Sequence, residues 1–384
     1  MTNAIEYLSQ LIAHDTVSNR SNQAISDLVA TWLQFLGFEI ERTSYLDRAG
    51  VLKCNVVGKR QPQETDSSAP GLAYFCHTDT VTVDRWSGPG GDPFTAVQQD
   101  ARIYGRGACD MKGSLAAMLS AAASVDASSQ RGPLWIVCTA DEERGFEGAQ
   151  HLARHSAAFA ELAAIDPPSI IGEPTQLQVI HAHKGIVGFR VISTGYAAHS
   201  SMNIGINANV AMVPMLQTLL ELDEQCRTDM TLRNEMFDPP TLTWNFGVSD
   251  GMSTVNIVPD HSAAWACFRT MPGVNGGELI DTVRARAKEL GLSFELFSGG
   301  EPMQTAKDAA CVVDLCQLAA PLIGDNQPQA VCYATDACAL GALSQRMVCG
   351  PGSIEQAHTV DEFIELDQLE KGTQLYAAAI RHWC

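Results

Sequence analysis

Short, almost wholly apolar runs of strand length, spaced by alanine-rich stretches, constrain the first half of this chain more than any other feature. VLKCNVVG (51–58), GLAYFC (71–76), PLWIVCTA (133–140) and SIIG (169–172) are the strand runs. SLAAMLSAAASV (114–125) and AQHLARHSAAF (149–159) lie between them and are made of good helix formers. Strands alternating with helices predict an α/β domain, with helices on both faces of a largely parallel sheet. Ile5, Leu8, Leu11 and Ile12 recur at helical spacing and predict an amphipathic first helix. The polar stretch KRQPQETDSSAP (59–70) predicts an exposed loop between strands.

After Gly172 the pattern changes. IVGFRVIST reads as a strand, ANVAMVPMLQTLLELDEQ as a helix, TLTWNFGVS and SAAWACFRT as strands, GELIDTVRARAKELG as a helix and LSFELF as a strand. That βαββαβ order describes a small α+β module of ferredoxin-like type over residues 180–299. The chain is 384 residues long, enough for two domains, so the module is predicted to be an insertion into a domain formed by 1–179 plus 300–384. The last segment is expected to hold a helix, the strand RMVCG and a long closing helix from Asp361.

Composition narrows the function classes. Apolar residues make up 46% and charged residues 18%, which suits a full core and excludes a disordered chain. The formal net charge of −19 argues against a nucleic-acid partner, which needs clustered Lys and Arg. No apolar stretch approaches the ~20 residues that span a bilayer, so no membrane partner is expected. The opening MTNAIEYLSQLIAHDTVS has no basic region followed by an unbroken apolar block, so it does not read as a signal peptide. The twelve cysteines contain no C-x-x-C pair, and most lie in apolar runs, as with Cys76, Cys138, Cys267 and Cys349. Small buried thiols in a reducing, cytoplasmic compartment account for them.

Several apolar runs end in a side chain able to bind metal. GLAYFC leads to His77 in HTD, PLWIVCTA to Glu142 and Glu143, SIIG to Glu173, and RMVCG through GPGSIEQA to His358. Asp110 stands in the glycine-rich YGRGACDMKG just before an alanine-rich helix. Ligands gather at the carboxyl ends of strands in open α/β sheets, where loops converge on a crevice. Two histidines with several carboxylates suit zinc or a neighbouring divalent metal. Each element also has a plain structural reading. Asp110 fits a helix N-cap, the acidic pair fits a solvated loop, a single histidine fits a hydrogen-bonded core position, and the glycines fit turns. Their joint occurrence at strand ends favours a metal site. No G-x-S-x-G elbow is present, which argues against a serine hydrolase.

HTDT, GRGACDMKG, ADEERGFEGA, IGEPT, AAHSS and GPGSIEQAHTVDE resemble, in this order, the signatures of the co-catalytic zinc deacylase and exopeptidase family. The family includes acetylornithine deacetylases, desuccinylases, aminoacylases and glutamate-releasing carboxypeptidases, and the resemblance covers nearly the whole chain. It implies two divalent ions, zinc first and cobalt or manganese as alternatives. His77 and Glu173 are implied to hold one, Glu143 and His358 the other, with Asp110 bridging them. Asp79 would fix the His77 ring, Glu142 would be the general base for amide hydrolysis, and the peptide after Asp110 would be cis. His199, in YAAHSS, is implied to steady the oxyanion. In dimeric members this histidine reaches the partner's active site, so the inserted module would be a lid and the dimerisation domain of a homodimer.

Asn256 and Arg269 match positions that bind substrate in relatives, and Arg is a natural bidentate clamp for a carboxylate. Gly350 and Gly352 would expose backbone N–H groups as a further anion cradle. The chain departs from the pattern at Cys267, where an Asp often precedes the Arg by two residues, and at Thr82, where Pro commonly follows the HxDxV run. GEPT, AHKG, GPGSIEQAHTVDE and the compact length resemble the acetylornithine deacetylase branch. The implied substrate is a small N-acyl amino acid, N2-acetylornithine first, with aminoacylase, desuccinylase and dipeptidase activities as alternatives. Asp336, in ATDA, is a candidate partner for a cationic substrate side chain or a structural residue. A non-catalytic binding relative would lack a ligand or the base, and here all six positions are filled.

Overall fold

A computed structural model of the protein describes residues 3–62, 69–251 and 254–384. The chain divides into two compact units, one of Met1–Ala182, Met303–Gln329 and Thr335–Cys384, the other of His183–Pro302 and Ala330–Ala334. The order opens with α1 (Ala4–Ile12), α2 (Gln23–Phe35), β1 (Glu39–Leu46), β2 (Leu52–Arg60) and β3 (Leu72–His77). It continues with β4 (Val97–Gln99), β5 (Arg102–Tyr104), α3 (Lys112–Ser124), β6 (Leu134–Thr139), α4 (Glu147–His155), α5 (Ala157–Ile165), β7 (Ser169–Ile171) and β8 (Ile180–His183). Next come β9 (Ile186–Thr194), α6 (Ala208–Thr228), β10 (Thr243–Ser249), β11 (His261–Arg269), α7 (Gly277–Glu289) and β12 (Ser293–Gly300). The chain closes with β13 (Met303–Gln304), α8 (Ala310–Ile323), β14 (Gln329–Val331), β15 (Arg346–Val348), β16 (Phe363–Glu365) and α9 (Leu366–Trp383).

The main sheet of the first unit runs β1-β2-β6-β3-β7-β15-β8-β13. Its central ladders, β6–β3, β3–β7 and β7–β15, are parallel, whereas β1–β2 and β2–β6 are antiparallel. Side chains alternate across β3, so Tyr74 meets Tyr376 of α9 while Phe75 meets Phe159 of α5. Helices therefore cover both faces. Helix α3 is buried on nearly every side, with Ala116, Ala117, Ala121 and Ala122 allowing close approach of its neighbours. The core around it draws Leu8, Leu11, Val29, Leu33, Leu115, Leu315 and Ile380 together. Each such side chain contributes roughly 1.5–3 kcal/mol on burial. Ten of the cysteines are buried, and all are free thiols. No helix among the described residues is long and apolar enough to cross a membrane.

Local details differ from the sequence expectation. The stretch 149–159 is not one helix, because Ser156 ends α4 and its side chain accepts from Phe159 N to start α5. The closing helix starts at Leu366 rather than Asp361, because Phe363–Glu365 pair with β5 as a strand. Lys59 and Arg60 of the expected loop end β2, and residues 63–68 lie outside the described residues.

The second unit has the sheet order β10-β11-β9-β12, with all its pairings antiparallel. Helices α6 and α7 bury Met212, Met215, Leu219 and Val283. Phe189 stacks on Phe294, and Trp244 lies against Phe268. Trp265, Val248 and Leu296 keep substantial exposure.

Candidate metal centre

Strand β3 ends on His77, whose ring is almost fully buried. Its Nδ1 lies 3.0 Å from the Asp79 carbonyl oxygen and 3.6 Å from Asp79 Oδ1. The carbonyl, more than the expected carboxylate, thus orients the ring. The Asp79 carboxylate instead accepts from Ser18 Oγ at 2.7 Å and from Glu142 N at 3.2 Å. With Nδ1 donating, a neutral His77 turns the Nε2 lone pair inward, 3.0 Å from Asp110 Oδ1 and 4.0 Å from Glu173 Oε2. Lone pairs that close need a proton or a cation between them.

Asp110 does not cap a helix. The N-cap of α3 is Met111, which makes no side-chain capping bond, and the Asp110–Met111 peptide is cis. The turn that carries Asp110 is held by Glu362, a residue the sequence reading passed over. Its buried carboxylate accepts from Gly107 N, Cys109 N and Asp110 N at 2.8, 2.8 and 2.9 Å and pairs with Arg106 at 2.9 Å. Only its place in HTVDE, beside His358, hinted at a role.

Glu142 and Glu143 lie in the turn after β6. Asp141, which precedes them, has φ 55°, a conformation Asp tolerates better than most residues. Its carboxylate is fixed by Lys53 Nζ at 2.6 Å and Tyr45 OH at 2.8 Å. Lys53 also donates to the carbonyls of Ser18 and Arg20. Gly148 is obligatory in GFEGA, since a Cβ there would sit 2.0 Å from the Ala140 carbonyl oxygen. Opposite the turn, His358 Nε2 lies 3.1 Å from Glu143 and 3.4 Å from Asp110 Oδ2.

Three sets of donor atoms lie within 4.8 Å of one another: His77–Asp110–Glu173, Asp110–Glu143–His358 and His77–Glu142–Glu143. The first two share Asp110. Among the described residues no Lys or Arg pairs with these carboxylates; His77 and His358 are the ion-pair partners they have. Burial, then the charges of Glu173, Glu143 and Asp336, push the Glu142 carboxyl well up, with His77 opposing. Burial and neighbouring acids raise Glu173 and Glu143 likewise. Hydrogen bonds to Asp110 and Glu143 lift His358 to about 10. Burial opposes protonation of His77, yet Asp110, Glu173 and Glu142 still hold it well above its ordinary value. Such a concentration of anionic donors with imidazole nitrogens fits two divalent cations.

The other expected site residues are placed as follows. Gly350 N donates to Thr175 Oγ1 and Gly352 N to Gln368 Oε1, both at 3.2 Å, so the expected cradle of free N–H groups does not form. Packing accounts for Gly350, whose added Cβ would lie 2.3 Å from the Gly172 carbonyl oxygen. Asp336 is buried and accepts from Thr139 Oγ1, while its Oδ1 has no hydrogen-bond partner among the described residues. Burial raises its carboxyl to about 6.

In the second unit, exposed His199 accepts at Nδ1 from Ser201 N at 3.2 Å. With Nδ1 accepting, the ring proton lies on Nε2, which presents a donor. Asn256 is joined to the same segment through Ser200 N, which donates to its carbonyl at 3.0 Å. Arg269 closes β11 opposite Thr243.

The model of Peptidase family M20/M25/M40 matches residues 73–382. The chain is 34% identical to an acetylornithine deacetylase of Proteus mirabilis, over 99% of this chain and 96% of that one. It superposes on the M20 family metallo-carboxypeptidase Sso-CP2 of Sulfolobus solfataricus with a TM-score of 0.79 at 17% identity, covering 100% of this chain and 99% of that one. The Bacillus subtilis YXEP protein, titled a dinuclear metal binding peptidase of the M20 family, gives 0.64 at 12% identity, covering 99% and 97%.

Proposed function

Because the chain belongs to Peptidase family M20/M25/M40, whose members are metal-dependent hydrolases, we propose that it deacylates N-acyl amino acids, N2-acetylornithine first. The observation that carries this reading is the pair of donor triads sharing Asp110, with the Glu142 carboxyl beside them. Full-length similarity to acetylornithine deacetylase supports the substrate. His77 and Glu173 would hold one ion and Glu143 and His358 the other, with Asp110 common to both donor sets; zinc would suit these donors best, and cobalt and manganese would accept the same ligands. When bound, the two ions supply Lewis acidity toward the scissile carbonyl and make an attacking water easier to deprotonate.

The chain's own groups do the rest. Glu142, raised by burial and by its acidic neighbours, takes the proton of the attacking water and passes it to the departing amine. The His199 Nε2–H supplies a donor for the developing oxyanion, and Asn256 and Arg269 bind the substrate. The second unit leaves large apolar side chains exposed, including Val255, Val210, Ile204, Ile206 and Tyr196. Apolar exposure of this kind suits the contact face of a homodimer. Mostly buried thiols suit an enzyme of the cytoplasm.

The test is metal content after dialysis, followed by acetate release from a panel of acylated amino acids. About two ions per chain and fastest turnover of N2-acetylornithine are expected. Equal or faster turnover of N-succinyl-diaminopimelate or of dipeptides would overturn the substrate, and full activity after chelation would overturn the metal chemistry.

A further inference from the structure

A cleft of about 400 Å³ opens beside the metal centre, and Glu143 forms one of its walls. Val17, Thr80, Val81 and Thr82 give it largely apolar sides, and Arg144 also lines it. Arg144 follows Glu143 in the turn after β6, yet it takes no part in the donor sets. Its side chain is 49% exposed, and its nearest acceptors are distant: the Ser18 carbonyl at 3.4 Å and Asp47 Oδ2 at 3.9 Å. Asp47 meets Arg144 at ion-pair distance only, since its buried Oδ2 makes no hydrogen bond among the described residues. Its Oδ1 already accepts from Ala49 N and Val51 N, and its Oδ2 stands equally 3.9 Å from Lys53. Among the described residues, Nε and Nη2 of Arg144 make no hydrogen bond. Most of a planar, permanently charged donor fork is thus unused on the wall of a cleft that borders the metal donors.

Such a fork matches a carboxylate, which it binds through two parallel N–H···O bonds. The apolar walls would take the methylene or methine carbons next to that group. A neutral acyl methyl would leave the guanidinium without a partner, and a cationic arm would be repelled. We infer that Arg144 recognises a carboxylate of the substrate in this cleft and so helps to set specificity. That carboxylate is either the α-carboxylate of the amino acid or the distal one of a dicarboxylic acyl group. The choice of substrates rests on the deacylase reading above; the cleft and its cation do not.

The experiment compares Arg144→Ala and Arg144→Lys with the wild type, each loaded with metal. One arm measures kcat/KM for N2-acetylornithine against N2-acetylornithinamide, and a second compares N-succinyl-ornithine with N-acetylornithine. Loss of one bidentate charged hydrogen bond should lower the carboxylate preference on the order of 10- to 100-fold, chiefly through KM. Arg144→Lys should keep part of it. A fall confined to the first arm assigns the α-carboxylate, and one confined to the second assigns the acyl carboxylate. Unchanged preferences in both arms would overturn the inference. If the wild type cleaves none of these substrates, the deacylase reading fails, and calorimetric binding of succinate against succinamate still tests Arg144. Preference for succinate in the wild type, lost in Arg144→Ala, supports it; equal preference in both proteins rejects it.

Discussion

Glu142 and Glu143 are neighbours in the chain but differ in their contacts. Glu143 meets His358 at 3.1 Å and shares Asp110 with it, whereas the Glu142 carboxylate makes no side-chain hydrogen bond among the described residues. A group meant to accept and release a proton should be left free in this way. Glu142→Ala should therefore lower kcat by about 10²- to 10⁴-fold while the metal content stays at the wild-type value. Loss of bound metal in that variant would instead make Glu142 a ligand. The electrostatics of the centre give a second test. In the metal-free protein Glu142, Glu143, Glu173 and His358 all have raised pKa values. A raised value means that the folded state binds more protons than the unfolded one, so stability falls as pH rises through it. For His358 the loss runs from about 6.5 to about 10. Asp110 is shifted the other way, by its histidines and against burial, but it has finished titrating well below that window. The metal-free protein should accordingly melt lower at pH 9 than at pH 6. Zinc at a hundredfold excess over Kd should restore about 2.7 kcal/mol for each site filled. Calorimetry in buffers of different ionisation enthalpy should also reveal proton release on loading; buffer-independent heats would contradict the raised pKa values.

At the scale of the element, two turns carry the chemistry, and each is fixed by a buried charge. Lys53 on β2 holds the turn after β6 through Asp141. Replacing it by Met would leave a buried carboxylate unpaired, a loss of about 3–5 kcal/mol on the usual scale for such pairs. Urea unfolding would measure this. Glu362 holds the turn before α3 through three backbone N–H groups, and in Glu362→Gln the amide NH₂ would face donors where a carboxylate oxygen stood. Metal affinity should fall about 10- to 100-fold, as is usual when the support of a ligand is removed, with a smaller change in the midpoint of unfolding. These supports also mark where the sequence stopped being readable. His77, Glu143 and Glu173 could be found because apolar runs long enough to be strands lead to them. Glu362 could not, since its partners lie 252–256 residues earlier and are mostly backbone groups that carry no side-chain signature. Local periodicity likewise ran through Ser156 and Phe363, where a single cap and a short strand pairing decide the outcome. Gly350 and Gly352 resembled an anion cradle because sequence cannot reveal that Thr175 and Gln368 already take their N–H groups.

For the whole molecule, the metal donors and Glu142 belong to one unit, while His199, Asn256 and Arg269 belong to the other. If His199 serves a second copy's centre, Glu142→Ala and His199→Ala should complement each other. An equal mixture, allowed to re-equilibrate, should regain about a quarter of wild-type activity, since half the dimers are mixed and one of their two centres is intact. No recovery would place His199 within its own chain. A charge at Val210 or Ile206 should shift the sedimentation coefficient toward that of the single chain. One feature of the main sheet bears on how such a molecule can change over time. Strands β8 and β13, which precede and follow the long excursion of the chain through the second unit, lie side by side, with Thr305 N donating to the His181 carbonyl at 2.8 Å. The long excursion, residues 183–302, thus leaves and re-enters through one doorway, and Ala330–Ala334 is the one further short segment that joins the second unit. A different module could be fitted there without re-threading the strands that hold the metal donors, which would let whatever the second unit contributes to substrate binding be inherited separately from the chemistry of bond cleavage and from the Arg144 cleft beside it.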